Sequence, residues 1–236
     1  MRRTTLLLLT TLPFLALAEG PGKLENLDAQ RFKALAEEKH GLLLDVRTPG
    51  EVARGKLAGA SVIDFNGDRF AQKVALMPKD KPIFVYCASG NRSGQAVAQM
   101  QKLGFRELYN LTGGMGAWKA AGMPVEQPTE AVATGANAME PKALDALLKS
   151  EKKLLVDYQT PWCAPCQKMV PVVDALGEAL KGKVKVLRVD VDQSEALAAR
   201  EKIEGVPVFV FYVDGKERWR RAGEQTRAEL EKALAQ

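Results

Sequence analysis

Short apolar runs alternate with helical patterns along the first half of the chain. Four runs have the length and composition of strands, and they are His40–Val46, Ala60–Phe65, Lys81–Cys87 and Arg106–Leu111. Helical patterns separate or follow them at Asp28–Lys39, Arg69–Met77, Ser93–Leu103 and Gly113–Gly122. Strands alternating with helices predict an α/β layer built on a parallel sheet.

The second half has a different order of elements. It begins with a helix that has Pro141 in its first turn, followed by an apolar strand that ends at Tyr158. Further patterns predict a helix after the pair Cys163 and Cys166, a strand at Lys183–Asp192, a helix at Ser194–Ile203, a hairpin turning at Asp214-Gly215 and a last helix at Thr226–Ala235.

The stretch between the halves is rich in Pro, Ala, Thr and Gly and shows little hydrophobic periodicity. Such composition is typical of a linker, which we place at 128–138. The chain is therefore predicted to hold two α/β domains, at 24–127 and 139–236.

The first 18 residues have the pattern of a secretory signal. Arg2 and Arg3 precede an apolar stretch that ends near Leu15, and Ala16-Leu17-Ala18 is a small-x-small cleavage site. The stretch is short for a membrane span, although an uncleaved anchor is the alternative. We expect a signal peptide at 1–18 and a mature protein that is soluble and exported, most simply to a bacterial periplasm.

Charge and cysteine content narrow the class of protein. The formal net charge is +5, but Lys and Arg are interleaved with Asp and Glu, which favours a solvated surface over nucleic-acid binding. Three cysteines do not suit a disulfide framework. Cys163 and Cys166 can pair with each other, which leaves the thiol of Cys87 unpaired.

Cys87 stands where a buried strand ends and a helix is about to begin. Ligand sites of open α/β sheets lie at that end of the strands. The small residues Ala88, Ser89, Gly90 and Asn91 can turn successive N–H groups inward, and the helix N-terminus and Arg92 add positive potential. These features stabilise a thiolate, so a reactive Cys87 is favoured over a buried structural cysteine.

The first half resembles a single-domain rhodanese, a family of sulfurtransferases. The motifs "LLLDVRTPGE", "YCASGNRS", "GFRELYNLTGGMGAW" and "AAGMPV" fall in the family's order. The resemblance implies that Cys87 carries transferred sulfur as a persulfide, cradled by the amides of Ala88 to Arg92. It also places Asp45 and Arg47 near the site, where a purely structural role is the alternative.

Two features bear on the substrate of this site. Only four residues separate Cys87 from Arg92, a tighter loop than that of cysteine phosphatases and arsenate reductases, which favours sulfur over phosphate. Ala88 stands where the family often has a basic residue, and Lys56 replaces the histidine of its "GHIPGA" motif. The loss of a positive charge beside Cys87 weakens the expectation that thiosulfate is used efficiently.

The cysteine pair Cys163 and Cys166 follows a strand and opens a helix. In that geometry the first thiol is exposed, the helix dipole favours its thiolate, and the second thiol can resolve a mixed disulfide. A zinc site would need two more ligands, and His40 is the chain's single histidine and lies far away in sequence.

The second half resembles thioredoxin through "VDYQTPWCAPC", "RVDVD" and "GVPVFVFYVDGK". The resemblance implies a redox dithiol of Cys163 and Cys166 beside Trp162, a proton-handling carboxylate at Asp157, and a cis-proline at Pro207 facing the dithiol. The family often has a lysine near that carboxylate. We match its position to Val186, with Lys185 on the opposite strand face.

The two resemblances together predict an exported thiol–disulfide oxidoreductase coupled to sulfur transfer. Its redox-active groups would be the Cys163–Cys166 disulfide and a transient persulfide on Cys87, with no metal or other cofactor. Its partners would be a small sulfur donor or a protein thiol or disulfide, together with a membrane thiol reductant that supplies electrons.

Two alternatives stay open. In the first, the protein is a disulfide reductase acting on proteins, cytochrome-assembly cysteines included, and Cys87 is secondary. In the second, the rhodanese-like domain is only a docking or sulfur-sensing module, which the alanine after Cys87 favours.

Overall fold

The computed structural model describes residues 22–127 and 135–235. The predicted signal peptide and residues 128–134 of the predicted linker lie outside these ranges. Of the linker's described part, Asn137 forms an isolated parallel bridge with Val189.

The first domain is built on a five-stranded parallel sheet with the order β1-β5-β4-β2-β3. The strands are β1 (Lys23–Leu27), β2 (Leu42–Asp45), β3 (Ser61–Val62), β4 (Ile83–Tyr86) and β5 (Glu107–Leu111). The predicted parallel sheet is confirmed, and its central strand β4 is buried along its whole length.

Helices cover both faces of this sheet, as buried parallel strands require. They are α1 (Ala29–Glu38), α2 (Pro49–Val52), α3 (Phe70–Ala75), α4 (Asn91–Lys102) and α5 (Gly114–Ala120). Phe32 of α1 and Trp118 of α5 pack on one face, and Phe70 of α3 and Val97 of α4 pack on the other.

The second domain has a four-stranded mixed sheet with the order β7-β6-β8-β9. Its elements in chain order are α6 (Pro141–Ser150), β6 (Lys153–Gln159), α7 (Ala164–Ala179), β7 (Lys185–Asp190), α8 (Glu195–Arg200), β8 (Val208–Val213), β9 (Lys216–Ala222) and α9 (Arg227–Leu234). The predicted hairpin is β8–β9, and both turn residues, Asp214 and Gly215, have positive φ.

The two domains are in contact. The amide of Val62 donates to the carbonyl oxygen of Trp162 at 3.2 Å, and the amide of Val206 donates to the carbonyl oxygen of Leu76 at 3.0 Å. Trp162 packs against the apolar cluster on the α3–α4 face of the first sheet, and Leu76 packs against the apolar cluster of the second domain.

None of the helices in the described ranges is both long and apolar enough to cross a membrane.

Candidate active sites

Cys87 follows directly after β4 and is buried. Its Sγ accepts a hydrogen bond from the amide of Gly90 at 3.1 Å and one from the hydroxyl of Ser93 at 3.4 Å. Gly90 has a φ of 91°, a backbone conformation that glycine adopts without strain. The loop therefore turns back on the sulfur before α4 begins. The helix begins at Asn91, two residues before the predicted start at Ser93.

The hydrogen bonds of this loop favour the thiolate. Burial raises the pKa of the Cys87 thiol, but hydrogen bonds from Ser93 and from the amides of Ser89 and Gly90 outweigh burial and leave the pKa below its ordinary value. Sequence reasoning places Ser93 only at a helix start and misses its contact with the sulfur.

The glycine turn before α5 braces the Cys87 loop from behind. The amide of Met115 donates to the carbonyl oxygen of Cys87 at 2.8 Å, and the amide of Gly116 donates to that of Ala88 at 3.1 Å. Gly114 has a φ of 55°, and a Cβ on it would lie 2.4 Å from the Cys87 carbonyl oxygen. A side chain at position 114 would therefore displace the loop.

Arg92 is held by an acidic residue that sequence reasoning did not single out. Its guanidinium donates to both carboxylate oxygens of Glu51, at 2.6 and 2.8 Å. These hydrogen bonds are the main cause that lowers the pKa of Glu51 to about 2, so Glu51 is ionised at neutral pH. The positive charge predicted beside Cys87 is thus present but paired.

Asn91 and Ser89 are exposed on the loop, and Ala88 is half-buried. The side chain of Asn91 accepts a hydrogen bond from Gln95, one turn further along α4. These side chains border the loop, whereas its backbone contacts the sulfur.

Asp45 and Arg47 form a buried ion pair at the end of β2. Arg47 donates to the carboxylate at 2.6 to 3.1 Å and to the carbonyl oxygen of Gly55 at 2.7 Å. Its guanidinium also lies over the ring of Tyr86, the residue before Cys87. The pair fixes the segment from β2 to Gly55 and contacts the strand that carries Cys87.

The dithiol lies at the start of α7. Cys163 is the N-cap residue, and its Sγ accepts a hydrogen bond from the amide of Cys166 at 3.1 Å. The two sulfurs form a disulfide. Cys163 is only 2% exposed, although a position at a helix start predicts an exposed thiol.

Asp157 lies on β6 and is buried, and within the described structure neither carboxylate oxygen has a hydrogen-bond donor. Burial raises its pKa to about 7, against an opposing effect of the nearby Arg188. The Nε of Arg188 lies 3.9 Å from Asp157 Oδ2, and β7 pairs Arg188 directly with Asp157.

The match of the family's lysine to Val186 is therefore wrong. Val186 pairs with Leu155, two residues before Asp157, and the cation beside the carboxylate is Arg188. The pairing register of β6 and β7 determines which residue lies beside Asp157. That register depends on contacts across the sheet and cannot be read from the local sequence.

Trp162 directly precedes Cys163, and the cis-proline that the resemblance implies is present at Pro207. Trp162 Nε1 donates to Asp192 Oδ2 at 2.7 Å, which fixes the ring. The Val206–Pro207 peptide is cis, and Val206 and Val208 share an apolar cluster with both cysteines.

No group of three or more His, Cys, Asp or Glu side chains within 22–127 and 135–235 is placed to hold a metal ion.

Comparison with known protein families and relatives gives separate matches for the two domains. The rhodanese-like domain model matches residues 28–121, and the thioredoxin model matches residues 137–236. Thioredoxin 1 of Chlorobaculum tepidum is 37% identical over 98 residues, which is 39% of this chain and 97% of that protein. A sulfurtransferase of Allochromatium vinosum is 36% identical over 94 residues, which is 40% of this chain and 86% of that protein.

The chloroplastic thioredoxin Y1 of Arabidopsis thaliana is 42% identical over 72 residues, and this chain spans only 42% of its length. Each relative corresponds to one part of the chain. The chain therefore belongs to both families, as a rhodanese-like domain followed by a thioredoxin domain.

Proposed function

We propose that this protein is an exported thiol–disulfide oxidoreductase that reduces sulfur carried as a persulfide on Cys87. The observation that carries the proposal is the position of Trp162. This neighbour of Cys163 packs against the apolar cluster that contains Cys87, so the dithiol domain lies on the face of the first sheet that holds the sulfur carrier.

The first half-reaction loads Cys87. Its thiolate attacks the outer sulfur of a donor such as thiosulfate, the new S–S bond makes a persulfide, and sulfite leaves with the electron pair of the broken bond. The amide of Gly90 and the hydroxyl of Ser93 already donate to this sulfur, so they hold negative charge there.

The second half-reaction consumes the reduced dithiol. The Cys163 thiolate attacks the outer sulfur and takes it over, and Cys166 then attacks Cys163 Sγ and expels sulfide. Attack on the inner sulfur gives the same products in the other order, through a Cys87–Cys163 disulfide. Either way the dithiol loses two electrons, and one sulfane sulfur becomes sulfide.

Asp157 suits the proton transfers of this exchange. A carboxyl group with a pKa of about 7 is part protonated and part ionised at neutral pH. It can therefore accept the proton of the Cys166 thiol as that thiol becomes the attacking thiolate. Arg188 limits how far burial raises this pKa.

Each turnover leaves the disulfide seen here, which needs two electrons from outside. We infer a dithiol reductant as a partner, and, if residues 1–18 act as a secretory signal, a reductant anchored in the membrane. The sulfur donor would be a small molecule or a protein persulfide.

The test compares two full-length proteins after exposure to thiosulfate or a small persulfide. The Cys163→Ser/Cys166→Ser variant should gain one sulfur on the Cys87 peptide and keep it, as seen by peptide mass. The reduced wild type should lose that sulfur and release one sulfide per dithiol. A Cys87 peptide that gains no sulfur from any donor would overturn the proposal.

A second function is favoured by the Glu51–Arg92 pair. A loop whose arginine is neutralised and whose first residue is alanine attracts an anionic donor weakly. In this alternative the protein reduces protein disulfides, and the first domain is a docking or sulfur-sensing module. Disulfide reduction that survives Cys87→Ser, with no sulfur on Cys87, would support it.

A further inference from the structure

The backbone on both sides of Cys163 is hydrogen-bonded to the rhodanese-like domain. The amide of Val62 donates to the carbonyl oxygen of Trp162 at 3.2 Å, and the amide of Ala164 donates to Ser61 Oγ at 3.0 Å. Trp162 and Ala164 are the chain neighbours of Cys163. The short strand β3 therefore straddles this cysteine, which explains why it is almost fully buried.

A third backbone contact is made by the residue before Pro207. The amide of Val206 donates to the carbonyl oxygen of Leu76 at 3.0 Å, just beyond the end of α3. Val206 belongs to the apolar cluster of Cys163 and Cys166, and Leu76 packs against that cluster. A main-chain donor next to a strand end is the kind of group that an extended polypeptide pairs with. Here Leu76 uses it.

Charged side chains surround these contacts. Arg69 forms an ion pair with Glu195 and donates to the carbonyl oxygen of Asp192, while Lys73 Nζ lies 3.7 Å from Asp192 Oδ2. The cations belong to the first domain and the anions to the second. Arg69 and Glu195 are exposed, so they can be exchanged without disturbing either core.

We propose that the rhodanese-like domain is the resident occupant of the surface around Cys163, and that outside polypeptide disulfides compete with it for that surface. The competing groups are Ser61, Val62 and Leu76 of the same chain. The partner that fits is an extended polypeptide segment, because the three contacts all use main-chain groups of the dithiol domain. The proposal rests only on the dithiol half of the proposed function.

The consequence is a preference among partners. A polypeptide disulfide reaches Cys163 only when the contacts of β3 and Leu76 are broken, so its reduction is slowed by the free energy of those contacts. The rhodanese-like domain itself needs no such displacement to be near the dithiol.

The test weakens the interface at its charged rim. In Arg69→Glu/Lys73→Glu, two negative charges face Asp192 and Glu195. We expect this full-length variant to reduce insulin disulfides with dithiothreitol as electron donor about three- to tenfold faster than the wild type, the range that one exposed and one partly buried ion pair allow. Adding Glu195→Arg should restore one pair and return the rate toward the wild-type value.

A matched control makes the same change of charge elsewhere. Arg31→Glu/Lys33→Glu lies on α1, which packs on the opposite face of the first sheet from α3. This variant should reduce insulin at the wild-type rate. An equal acceleration in the control would overturn the proposal, because it would trace the effect to net charge alone.

Hydrogen exchange at Val206 gives a second measurement that does not depend on activity. The amide should exchange faster in Arg69→Glu/Lys73→Glu by a factor similar to the gain in rate, since the same opening exposes it. An unchanged insulin rate together with unchanged exchange would overturn the proposal. Faster insulin reduction with no persulfide on Cys87 would instead overturn the proposed function and leave this inference standing.

Discussion

Glu51 binds Arg92 through both carboxylate oxygens, beside the loop that holds the Cys87 sulfur. The two residues are 41 positions apart, and Glu51 also closes the capping box of α2 with Thr48. The ion pair removes most of the net positive charge that an arginine would offer to an anionic sulfur donor.

Replacing Glu51 by Gln should therefore raise kcat/KM for thiosulfate. With the arginine charge uncompensated, we expect an increase of about three- to tenfold at low ionic strength, and the gain should shrink with added salt. Steady-state rates of thiosulfate-dependent sulfide release, with dithiothreitol regenerating the dithiol, measure this. Glu107→Gln is the matched control, since Glu107 pairs with Lys39 at the far end of β5 and should leave the rate unchanged. An unchanged or lower rate in Glu51→Gln would contradict the argument.

Replacing Ser93 by Ala should move the titration of Cys87 to higher pH. The Ser93 hydroxyl is among the donors that hold the pKa of Cys87 below its ordinary value, and alanine cannot donate. Thiolate absorbance at 240 nm, followed against pH in the Cys163→Ser/Cys166→Ser background, measures the midpoint. Ser89→Ala is the control, because the structure assigns Ser89 a backbone role and its exposed side chain should not matter.

Replacing Gly114 by Ala should disable Cys87 without disabling the dithiol. The new Cβ would lie 2.4 Å from the Cys87 carbonyl oxygen, and φ at this position is positive, so the loop must shift. We expect a loss of about 2 to 4 kcal/mol in the stability of the first domain and loss of persulfide formation. Gly122→Ala has a similar φ of 67° but open space around the new Cβ, and it should cost only about 1 kcal/mol.

Replacing Asp157 by Asn should stabilise the oxidised protein at alkaline pH. The pKa of Asp157 is raised to about 7, so the folded state keeps a proton that the unfolded state loses near pH 4. Wild-type stability therefore falls as pH rises from about 4 to about 7, by up to about 4 kcal/mol. Urea unfolding should show Asp157→Asn more stable than the wild type at pH 8 and similar to it near pH 4.

Asp174→Asn is the matched control for this prediction. Asp174 also contacts Arg188, but its carboxylate is largely exposed and should change stability little at either pH. If Asp157→Asn proved no more stable than the wild type at pH 8, the buried carboxylate would not be ionised there, and its proposed role in proton transfer would fail.

The alternation of apolar and helical patterns was enough to predict most elements because each one buries a regular face. It missed β1, in which only Leu27 is buried, since an edge strand of largely exposed residues has no apolar run. It also missed α2, whose four residues are too few for a helical period, although Pro49 and the Thr48–Glu51 pair mark a helix start.

The chemistry of each site was predictable where the groups are close in sequence, as with Cys87 and Arg92 or the two cysteines of the dithiol. The residues that contact these groups from distant parts of the chain could not be predicted. Glu51 of α2 meets Arg92 of α4 through helix packing within the first domain. Arg188 meets Asp157 through strand register, and Leu76 meets Val206 through domain docking. No local sequence pattern encodes any of these three contacts.

Cys87 and Cys163 belong to unrelated folds, yet each sulfur accepts a hydrogen bond at 3.1 Å from the main-chain amide three residues further on. A peptide N–H is not deleted by ordinary substitution, since every residue except proline supplies one. Substitutions can therefore change the side chains around either sulfur, and with them the sulfur compounds with which it reacts. The N–H that donates to the sulfur is kept as long as the backbone keeps its conformation.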